Sequence, residues 1–363
     1  MTSVLLVAEQ LRRRVPGGIG TYVRGLLQGL AHLEHAGADA PAVTLYASRA
    51  PAGEEPLSEV GRPVRTSAWP GPLMTRAWDA GLADVPRGFG VVHAPSLATP
   101  PARRAALVVT VHDMAWRHAP DAYPRRGLHW HEAALRRALR RAAAVVAPAA
   151  AVRDEVVQAG GRPDSVIVLP WGADHLPEPD SDGAAALLDR LGVPGTYLLS
   201  VGTLEPRKNL GRLVEAYERA RPSLPEPWPL VVVGPTGWGE TGSNGLDRPG
   251  VVAAGPVADA VLAALYRRAR LLAYVPLLEG FGLPPLEAMR AGIPVVASPM
   301  PSTEGAAFEV DPSDVEEIAA ALQLVAGEDA VRIRLVEAGR ARAGGASWVD
   351  SARAHVELWE RVR

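Results

Sequence analysis

Short apolar runs alternate with amphipathic helical stretches along most of this chain. Runs rich in Val and Leu predict buried strands, and apolar residues that recur every three or four positions predict helices. Consecutive parallel strands need a long crossover connection, which is usually a helix. The alternation therefore predicts an α/β, doubly wound fold with parallel sheets and helices on both faces.

The alternation comes in two series, separated by a stretch rich in Pro, Asp and Gly at 172–183. In the first series the predicted strands are Val4–Ala8, Ala42–Tyr46, Gly90–His93, Leu107–Val111, Ala143–Ala147 and Val166–Leu169, and the predicted helices are Thr21–His35, Gly127–Arg141 and Ala149–Ala159. In the second the strands are Tyr197–Val201, Leu230–Val233, Val251–Ala253, Leu271–Tyr274 and Pro294–Ala297, and the helices are Leu210–Arg221, Asp259–Arg268, Pro284–Ala291, Asp314–Ala326 and Asp329–Ala341. Because 363 residues are many for one core, we predict two Rossmann-like domains facing across a cleft, at 1–172 and 194–346, with a linker at 173–193.

Composition excludes several classes of protein. The chain has no cysteine, which excludes a disulfide framework, a thiolate metal site and a cysteine nucleophile. A net charge of −2 argues against nucleic-acid binding. Since no apolar run approaches the roughly 18 residues of a membrane span, and no basic segment precedes the first strand, we expect a cytoplasmic protein without a cleavable signal.

The basic residues are unevenly placed. Residues 1–172 have 20 Lys and Arg against 14 Asp and Glu, whereas the remainder has 18 against 26. This asymmetry predicts that the N-terminal half meets something anionic. All but one of the 38 basic residues are Arg, and the only lysine is Lys208. A single compact ammonium suggests a site that a planar guanidinium does not fit, although chance remains the alternative.

Three strand-to-helix turns have features of phosphate or sugar sites. In the first, Val15–Gly20, glycines allow close approach of a ligand and the following helix offers free N–H groups. Its spacing is not G-x-G-x-x-G, because Val23 stands where the third glycine would fall. A structural tight turn is therefore the alternative.

The second turn, Gly202–Asn209, places Arg207 and Lys208 at the start of a helix that Asn209 could cap. Adjacent cations there oppose the helix dipole unless an anion is present, which favours an anion site.

The third turn leads from Glu279 to Glu287, eight positions apart, with Pro284 in the first helical turn. Carboxylates accept hydrogen bonds from vicinal hydroxyls, so this turn is either a sugar site or a capped structural turn with solvated acids.

These segments resemble the retaining nucleotide-sugar glycosyltransferases of the GT-B fold, specifically family 4, over nearly the whole chain. The most specific element is the E-x7-E pair, Glu279 and Glu287. The other matching pieces are Gly17–Tyr22, Val109–Asp113, Ser200–Asn209 and Glu279–Pro284.

By this resemblance, Arg207 and Lys208 hold the donor diphosphate. Glu279 contacts the transferred sugar, Glu287 the ribose hydroxyls, and His112 sits by the sugar. The remaining donor contacts that the resemblance implies are Gly17, Gly18, Gly202, Val257, Phe281, Gly282 and Leu283.

The resemblance also implies that the final helix, 347–363 with Trp348, crosses back onto the N-terminal, acceptor-side domain. It implies transfer with retention, for which no nucleophile pair is evident, so a front-face route is expected. No cofactor beyond the donor and no metal is expected, because the only D-x-D, at Asp180 to Asp182, reads as a solvated linker turn. The stretch Pro299–Gly305 is shorter than in the family, which leaves open the contacts of that loop.

The donor and acceptor are less defined by these motifs. The second turn is similar to that of many mannosyl-transferring members, so GDP-mannose is the donor expected, with UDP-sugars as the alternative. The acceptor is a glycan, a lipid-linked saccharide or a small molecule. Three other readings stay open: a nucleotide-sugar-binding protein without turnover, a phosphorylase or sugar-phosphate synthase, and an NAD-dependent oxidoreductase.

Three further features have two readings each. The helix at 125–141 combines arginines with Trp130, Leu135 and Leu139, so it either docks on an anionic membrane or has a solvated arginine face. His93 either faces the cleft or is a buried structural histidine. The arginines at 12–14 either touch the acceptor or lie in solvent.

Overall fold

The computed structural model describes residues 3–13, 15–50, 55–120, 123–193, 195–237 and 246–363. These form two compact units. The N-terminal unit comprises Met1–His175 and Ser347–Arg363, and the C-terminal unit comprises Leu176–Ala346. Each unit is built on one sheet in which every strand pair is parallel, as predicted for an α/β, doubly wound fold.

In the N-terminal unit the sheet has the order β3-β2-β1-β4-β5-β6-β7. Its strands are β1 (Ser3–Val7), β2 (Ala42–Ala47), β3 (Val64–Thr66), β4 (Val91–Ala94), β5 (Ala106–Thr110), β6 (Ala144–Ala147) and β7 (Val166–Val168). Its helices are α1 (Gly17–His35), α2 (Gly71–Asp79), α3 (Ala115–His118), α4 (Arg125–Arg141), α5 (Ala150–Gln158) and the C-terminal α12 (Trp348–Val362).

In the C-terminal unit the sheet has the order β10-β9-β8-β11-β12-β13. Its strands are β8 (Leu198–Val201), β9 (Leu230–Val233), β10 (Val251–Gly255), β11 (Leu271–Tyr274), β12 (Val295–Ala297) and β13 (Phe308–Glu309). Its helices are α6 (Ser181–Arg190), α7 (Leu210–Ala220), α8 (Asp259–Arg268), α9 (Leu283–Ala291), α10 (Val315–Gly327) and α11 (Asp329–Gly344). Strand order reverses between β1 and β4 and between β8 and β11, and ligands of such sheets bind beyond the carboxyl ends of the strands at these switch points.

A helix that was not predicted, α6, occupies about half of the segment expected to be linker. Its sequence buries Ala184, Leu187 and Leu188, and the Asp180 carboxylate caps its N-terminus by accepting from the Gly183 N–H at 2.9 Å. The D-x-D sequence is therefore the start of a capped helix rather than a solvated turn. The short elements β3, α2, α3 and β13 were also not predicted.

The glycine-rich turn lies inside a helix, because α1 begins at Gly17 and not at Thr21. The Gly20 N–H already donates to the Pro16 carbonyl at 3.2 Å, so the helical ladder starts directly after Pro16. The exposed first turn has no acidic residue and no side-chain cap, and its N–H groups at Gly17 and Gly18 have no intrahelical acceptor.

Three glycines make room for α12 in the N-terminal unit. A Cβ on Gly25 would overlap the Trp348 ring, and a Cβ on Gly29 would overlap the Trp348 carbonyl oxygen. A Cβ on Gly172 would overlap the Trp348 amide nitrogen. The indole is fully buried, so these glycines position the N-terminus of α12 against α1.

Helix α4 turns its apolar residues inward. Leu135 is buried, while Trp130 and Leu139 pack against the core of the unit. Asp79, at the end of α2, accepts from the Trp130 indole N–H at 2.8 Å and forms an ion pair with Arg137. Of the two readings of this helix, the packing agrees with a solvated arginine face, since the apolar residues turn inward and the face it exposes is one of arginines.

None of the helices in the described ranges is both long enough and apolar enough to cross a membrane.

Candidate functional site

The second and third predicted turns follow β8 and β11, the neighbouring strands at the switch point of the C-terminal unit. Arg207 and Lys208 lie in a single helical turn, Pro206–Lys208, after β8. Asn209 then adopts a left-handed conformation, with φ of 59°, before α7 begins. Its side chain does not cap α7 as predicted, because its amide donates to the carbonyls of Val275 (2.9 Å) and Pro312 (2.7 Å).

Lys208 is held by two partners from the β11 side. Its ammonium donates to the Tyr274 hydroxyl at 2.6 Å and forms an ion pair with the Glu279 carboxylate. The Tyr274 hydroxyl donates in turn to Glu279 Oε2 at 2.8 Å. The stem of Lys208 lies over Gly202, where an added Cβ would stand 3.7 Å from its Cδ and Cε. The structure thus places Gly202, Lys208 and Glu279 together.

Arg207 is held by two carboxylates. Its Nη2 donates to Glu205 Oε1 at 2.9 Å, and its Nη1 lies 3.5 Å from Glu279 Oε1. The anion that the adjacent cations required is therefore supplied in part by Glu205 and Glu279. The helix-dipole conflict at Arg207 and Lys208 is therefore partly relieved within the protein and does not by itself require a bound anion.

The cations control the ionisation of this cluster. Burial alone would raise the pKa of Glu279, but Lys208 and Arg207, with the Tyr274 hydrogen bond, lower it to about 2. Burial and the neighbouring Glu279 raise the pKa of Tyr274 well above its usual value. At neutral pH Glu279 is an anion and Tyr274 a neutral donor, which fixes the direction of their hydrogen bond.

The backbone at Gly282 can be built only with glycine. Gly282 has φ of 89°, and a Cβ there would overlap the Met300 sulfur and lie 2.6 Å from Ser302 Oγ. The Ser302 N–H donates to the Phe281 carbonyl at 3.0 Å. The shortened loop 299–305 therefore packs directly against the turn Phe281 to Leu283, whose side chains at both ends are buried.

Glu287 lies on α9, only 7% exposed, and accepts a hydrogen bond from the buried Tyr266 hydroxyl at 2.8 Å. Burial, followed by the charge of Glu287, raises the pKa of Tyr266 well above its usual value, so Tyr266 acts as the donor. Val257 follows the carboxyl end of β10, two strands from β8. All of the predicted residues in this unit thus follow carboxyl ends of the same sheet.

In the N-terminal unit, His112 follows β5, and the tautomer of its ring is defined by a hydrogen bond. Its Nε2 lies 2.7 Å from the Pro95 carbonyl, which can only accept, so Nε2 carries the proton. Burial lowers its pKa, which keeps the ring neutral. Its Nδ1 is then a lone-pair acceptor, buried without a hydrogen-bond partner among the described residues.

His93 is a fully buried residue at the end of a directed hydrogen-bond chain. His355 Nδ1 lies 2.7 Å from the Ser351 carbonyl and must donate, so its Nε2 accepts from the Tyr22 hydroxyl at 2.7 Å. Thr110 then donates to the Tyr22 oxygen at 3.1 Å and accepts from His93 Nε2 at 2.8 Å. The chain ties α12 to β4 and β5, which gives His93 a structural role.

The arginines before α1 do not act as a group. Arg12 is buried and forms an ion pair with Glu55. Arg13 is exposed, and Arg14 lies outside the described residues.

Sequence reasoning missed Tyr274, Glu205 and Tyr266. A tyrosine inside an apolar strand or helix is indistinguishable from a core residue in sequence. The available signal is position, because Tyr274 is the last residue of β11 at the switch point. No group of three or more His, Asp or Glu that could hold a metal occurs in the described part of the chain.

Two family models match this chain. The model described as glycosyl transferases group 1 matches residues 195–327, and the one described as glycosyltransferase family 4 matches residues 16–175. The O-antigen chain mannosyltransferase B of Escherichia coli is 30% identical over 270 residues, which are 71% of this chain and 71% of that protein. The serotype-specific mannosyltransferase WbdA of Escherichia coli is 32% identical over 190 residues. The matched region is 49% of this chain and 23% of WbdA.

Solved structures share the fold over the whole length. Anabaena Alr3699/HepE, in complex with UDP and glucose, has a TM-score of 0.74 at 18% identity and covers 99% of this chain and 100% of its own. Sucrose-phosphate synthase from Thermosynechococcus elongatus has a TM-score of 0.74 at 20% identity and covers 100% of this chain and 99% of its own. At these identities the likeness is one of fold, and it confirms the GT-B fold expected from the sequence.

Proposed function

Because the chain belongs to the glycosyltransferases of family 4 (group 1), we propose that it moves a hexosyl group from a nucleotide-diphosphate donor to an acceptor hydroxyl with retention and without a metal. In this proposal residues 194–346 bind the donor, and residues 1–172 with 347–363 form the acceptor side, joined through 173–193. The observation that carries it is the Lys208–Tyr274–Glu279 cluster, two opposite charges and a hydroxyl at the switch point. Family membership leaves the oxidoreductase alternative without support.

GDP-mannose is the donor proposed. The relatives named above include mannosyltransferases, and the second turn is of the kind noted in mannosyl-transferring members. A structural neighbour was solved with UDP and glucose, which keeps a UDP-sugar as the alternative.

Lys208 and Arg207 would receive the leaving diphosphate. An ammonium has three N–H donors, and Tyr274 and Glu279 take two of those of Lys208, which leaves one for a phosphate oxygen. Negative charge builds on the diphosphate as the bond from the anomeric carbon to its oxygen breaks. Cations held in place before the reaction stabilise that charge without reorganisation.

Glu279 would contact the sugar and not the phosphates, because a carboxylate with a pKa of about 2 is ionised and repels them. It would accept hydrogen bonds from ring hydroxyls and favour positive charge on the anomeric carbon. The acceptor oxygen bonds to that carbon on the face the diphosphate leaves, and its proton goes to the diphosphate. No protein nucleophile is required in this route.

The other predicted residues would bind and orient the donor. Glu287, oriented by Tyr266, would accept from the ribose hydroxyls, and Val257 would lie by the base. The backbone from Phe281 through Gly282 to Leu283 would meet the phosphates and sugar. In the N-terminal unit, His112 Nδ1 would accept a sugar hydroxyl, while Gly17 and Gly18 would offer N–H groups of α1 to the diphosphate.

The acceptor proposed is a glycan, a lipid-linked saccharide or a small molecule, met in the cytoplasm or at the inner face of the membrane. The exposed arginines of α4 would then contribute charge attraction to an anionic lipid surface, with no insertion, since its apolar residues are covered.

The test is transfer followed by NMR, with EDTA present, GDP-mannose as donor and methyl α-mannoside at high concentration as acceptor. We expect release of GDP and a new linkage with the anomeric configuration of the donor. A product of inverted configuration, or a requirement for a divalent metal, would contradict the mechanism. Nucleotide binding without any transfer from GDP-mannose or UDP-glucose would favour a binding protein instead.

A further inference from the structure

Exposed large apolar side chains are concentrated beside α2. In the described part of the chain six such side chains are exposed, and three of them fall between residues 69 and 82. Trp69 is 50% exposed, Leu73 44% and Leu82 83%, and the other three lie in the C-terminal unit. Residues 69–82 are called the α2 segment below.

These exposures are not a sign of a poorly packed helix. The opposite face of α2 is buried in the core through Met74, Ala77 and Trp78. Helix α2 is therefore fixed on one face and exposes Leu73, while Trp69 and Leu82 are exposed in the residues that flank it. A group of exposed apolar side chains marks an interaction site more often than a single exposed residue does.

Arginines stand at both ends of the α2 segment. Arg49 Nε donates to the Ala68 carbonyl at 2.9 Å, and its backbone N–H donates to the Trp69 carbonyl at 2.8 Å. At the far end Arg103 donates to the Gly81 carbonyl, next to Leu82. Arg49 and Arg103 are both exposed, as is Arg76 on the helix itself.

Acidic residues are scarce in the surrounding sequence. Residues 62–104 contain six arginines and two acids. One of these acids, Asp79, is already neutralised by its ion pair with Arg137. Arg62 is paired in the same way with Glu34, and Glu9 lies beside Gly71 at the start of α2. Arginines still outnumber acids in the sequence around the exposed Trp and Leu side chains.

From these observations we infer that the α2 segment is a docking surface for an anionic lipid bilayer. A short helix lying in the plane of an interface brings both of its ends to the headgroups, and nine residues of α2 span about 13 Å. Trp69 and Leu73 at one end and Leu82 at the other insert between headgroups, while the flanking arginines pair with lipid phosphates. This inference rests on residues outside the proposed transfer site and holds whether or not transfer is observed.

The charge favours a bilayer over a second copy of this chain. A second copy of this chain would bring the same cationic surface against itself, and like charges would oppose the contact. An anionic bilayer offers an apolar interior to the exposed Trp and Leu side chains and negative headgroups to the flanking arginines.

The experiment is co-sedimentation with vesicles of phosphatidylglycerol and phosphatidylcholine, and with vesicles of phosphatidylcholine alone, without donor or acceptor. We expect binding to the anionic vesicles that weakens as salt is raised. The triple variant Trp69→Ser/Leu73→Ser/Leu82→Ser should bind at least about tenfold more weakly. The matched control Leu324→Ser/Ile333→Ser, which removes exposed apolar groups from the C-terminal unit, should bind as the wild type does.

The triple variant should melt near the temperature of the wild type, because all three side chains are exposed. This measurement distinguishes loss of docking from loss of the fold. A second variant, Arg136→Gln/Arg140→Gln on α4, distinguishes the two surfaces and should lose less binding than the triple variant. Equal binding by the triple variant and the wild type, or no binding by the wild type, would overturn the inference. Self-association that the triple variant abolishes would assign the segment to a second copy instead.

Discussion

Lys208, the only lysine of the chain, lies with its ammonium between a tyrosine hydroxyl and a carboxylate. The side chains of Lys208 and Glu279 are only 13% and 14% exposed, so neither charge is well solvated by water. Each therefore depends on the other, and a substitution at one changes stability as well as function.

The double substitution separates these two effects. Lys208→Met should lower the free energy of unfolding by about 2 kcal/mol, somewhat less than a fully unpaired buried charge costs, because Glu279 loses its nearer cation and keeps only Arg207, at 3.5 Å, and the Tyr274 hydroxyl. Lys208→Met/Glu279→Gln should recover most of that loss in a urea titration. Transfer should remain at least about 100-fold reduced in both variants, because the cation proposed to meet the diphosphate is missing. A double variant with wild-type turnover would refute the role of Lys208.

Glu279→Gln should affect nucleotide binding and sugar transfer differently. Removal of the carboxylate takes away a negative charge close to the diphosphate position, so GDP should bind at least as tightly as to the wild type by calorimetry. Transfer should fall, because the amide cannot favour positive charge on the sugar. Weaker GDP binding with unchanged turnover of bound donor would show that Glu279 serves the nucleotide and not the sugar.

At the scale of elements, α12 is held in the N-terminal unit by close packing and by a buried polar chain. Its first residue, Trp348, is packed among glycines, and His355 is linked through Tyr22 and Thr110 to His93. The packing depends on the absence of side chains on α1. The polar chain depends on a neutral His355, since a protonated ring would lack the acceptor nitrogen that receives the Tyr22 hydrogen bond.

Gly29→Ala tests the packing. Its Cβ would overlap backbone of Trp348, which cannot move without shifting α12, so we expect a loss of about 3 kcal/mol in the free energy of unfolding. Gly211→Ala on α7 is the matched control, because a Cβ there meets no atom within 4 Å. It should be neutral or stabilise by up to about 1 kcal/mol. Equal stability of the two variants in a urea titration would refute the close packing of α12 against α1 at Gly29.

The polar chain predicts a pH dependence of stability. Burial lowers the pKa of His355 to about 4 and also lowers those of His93 and His112. The unfolded chain binds these protons near pH 6.5, whereas the folded chain does not, so the free energy of unfolding should fall as the pH drops from about 6.5 towards 4. His355→Gln should remove about one proton from the uptake on unfolding at pH 5. An unchanged pH profile would contradict the buried neutral ring.

Much of both sheets could be predicted from sequence, because parallel strands that are covered on both faces are continuous apolar runs. The predicted site residues Lys208 and Glu279 came together for a related reason, since β8 and β11 adjoin at the switch point. Tyr274 could not be found in this way, because its hydroxyl bonds to Lys208 and Glu279 while its ring fills a strand position. That Trp130 on α4 packs against the core could not be predicted either, since periodicity identifies the faces of a helix but not which face is covered.

At the scale of the whole molecule, the uneven charge of the chain now has two structural correlates. In the basic half, arginines are exposed on α4 and around α2, where an anionic surface would be met. In the acidic half, Glu205 and Glu279 accompany the two cations that would face a diphosphate. By these proposals the chain would present cations to lipid at one place and a balanced ion cluster to nucleotide at another.

Nucleotide binding measured by the melting temperature tests the central claim most directly, with GDP, UDP, ADP and NAD compared in the presence of EDTA. We predict that one nucleoside diphosphate, GDP by our proposal, stabilises the wild type by about 2.7 kcal/mol at 100 times its dissociation constant. The same concentration should give no shift with Lys208→Met/Glu279→Gln. Stabilisation by NAD alone, or an equal shift in this variant, would contradict a nucleotide-sugar site built on Lys208 and Glu279.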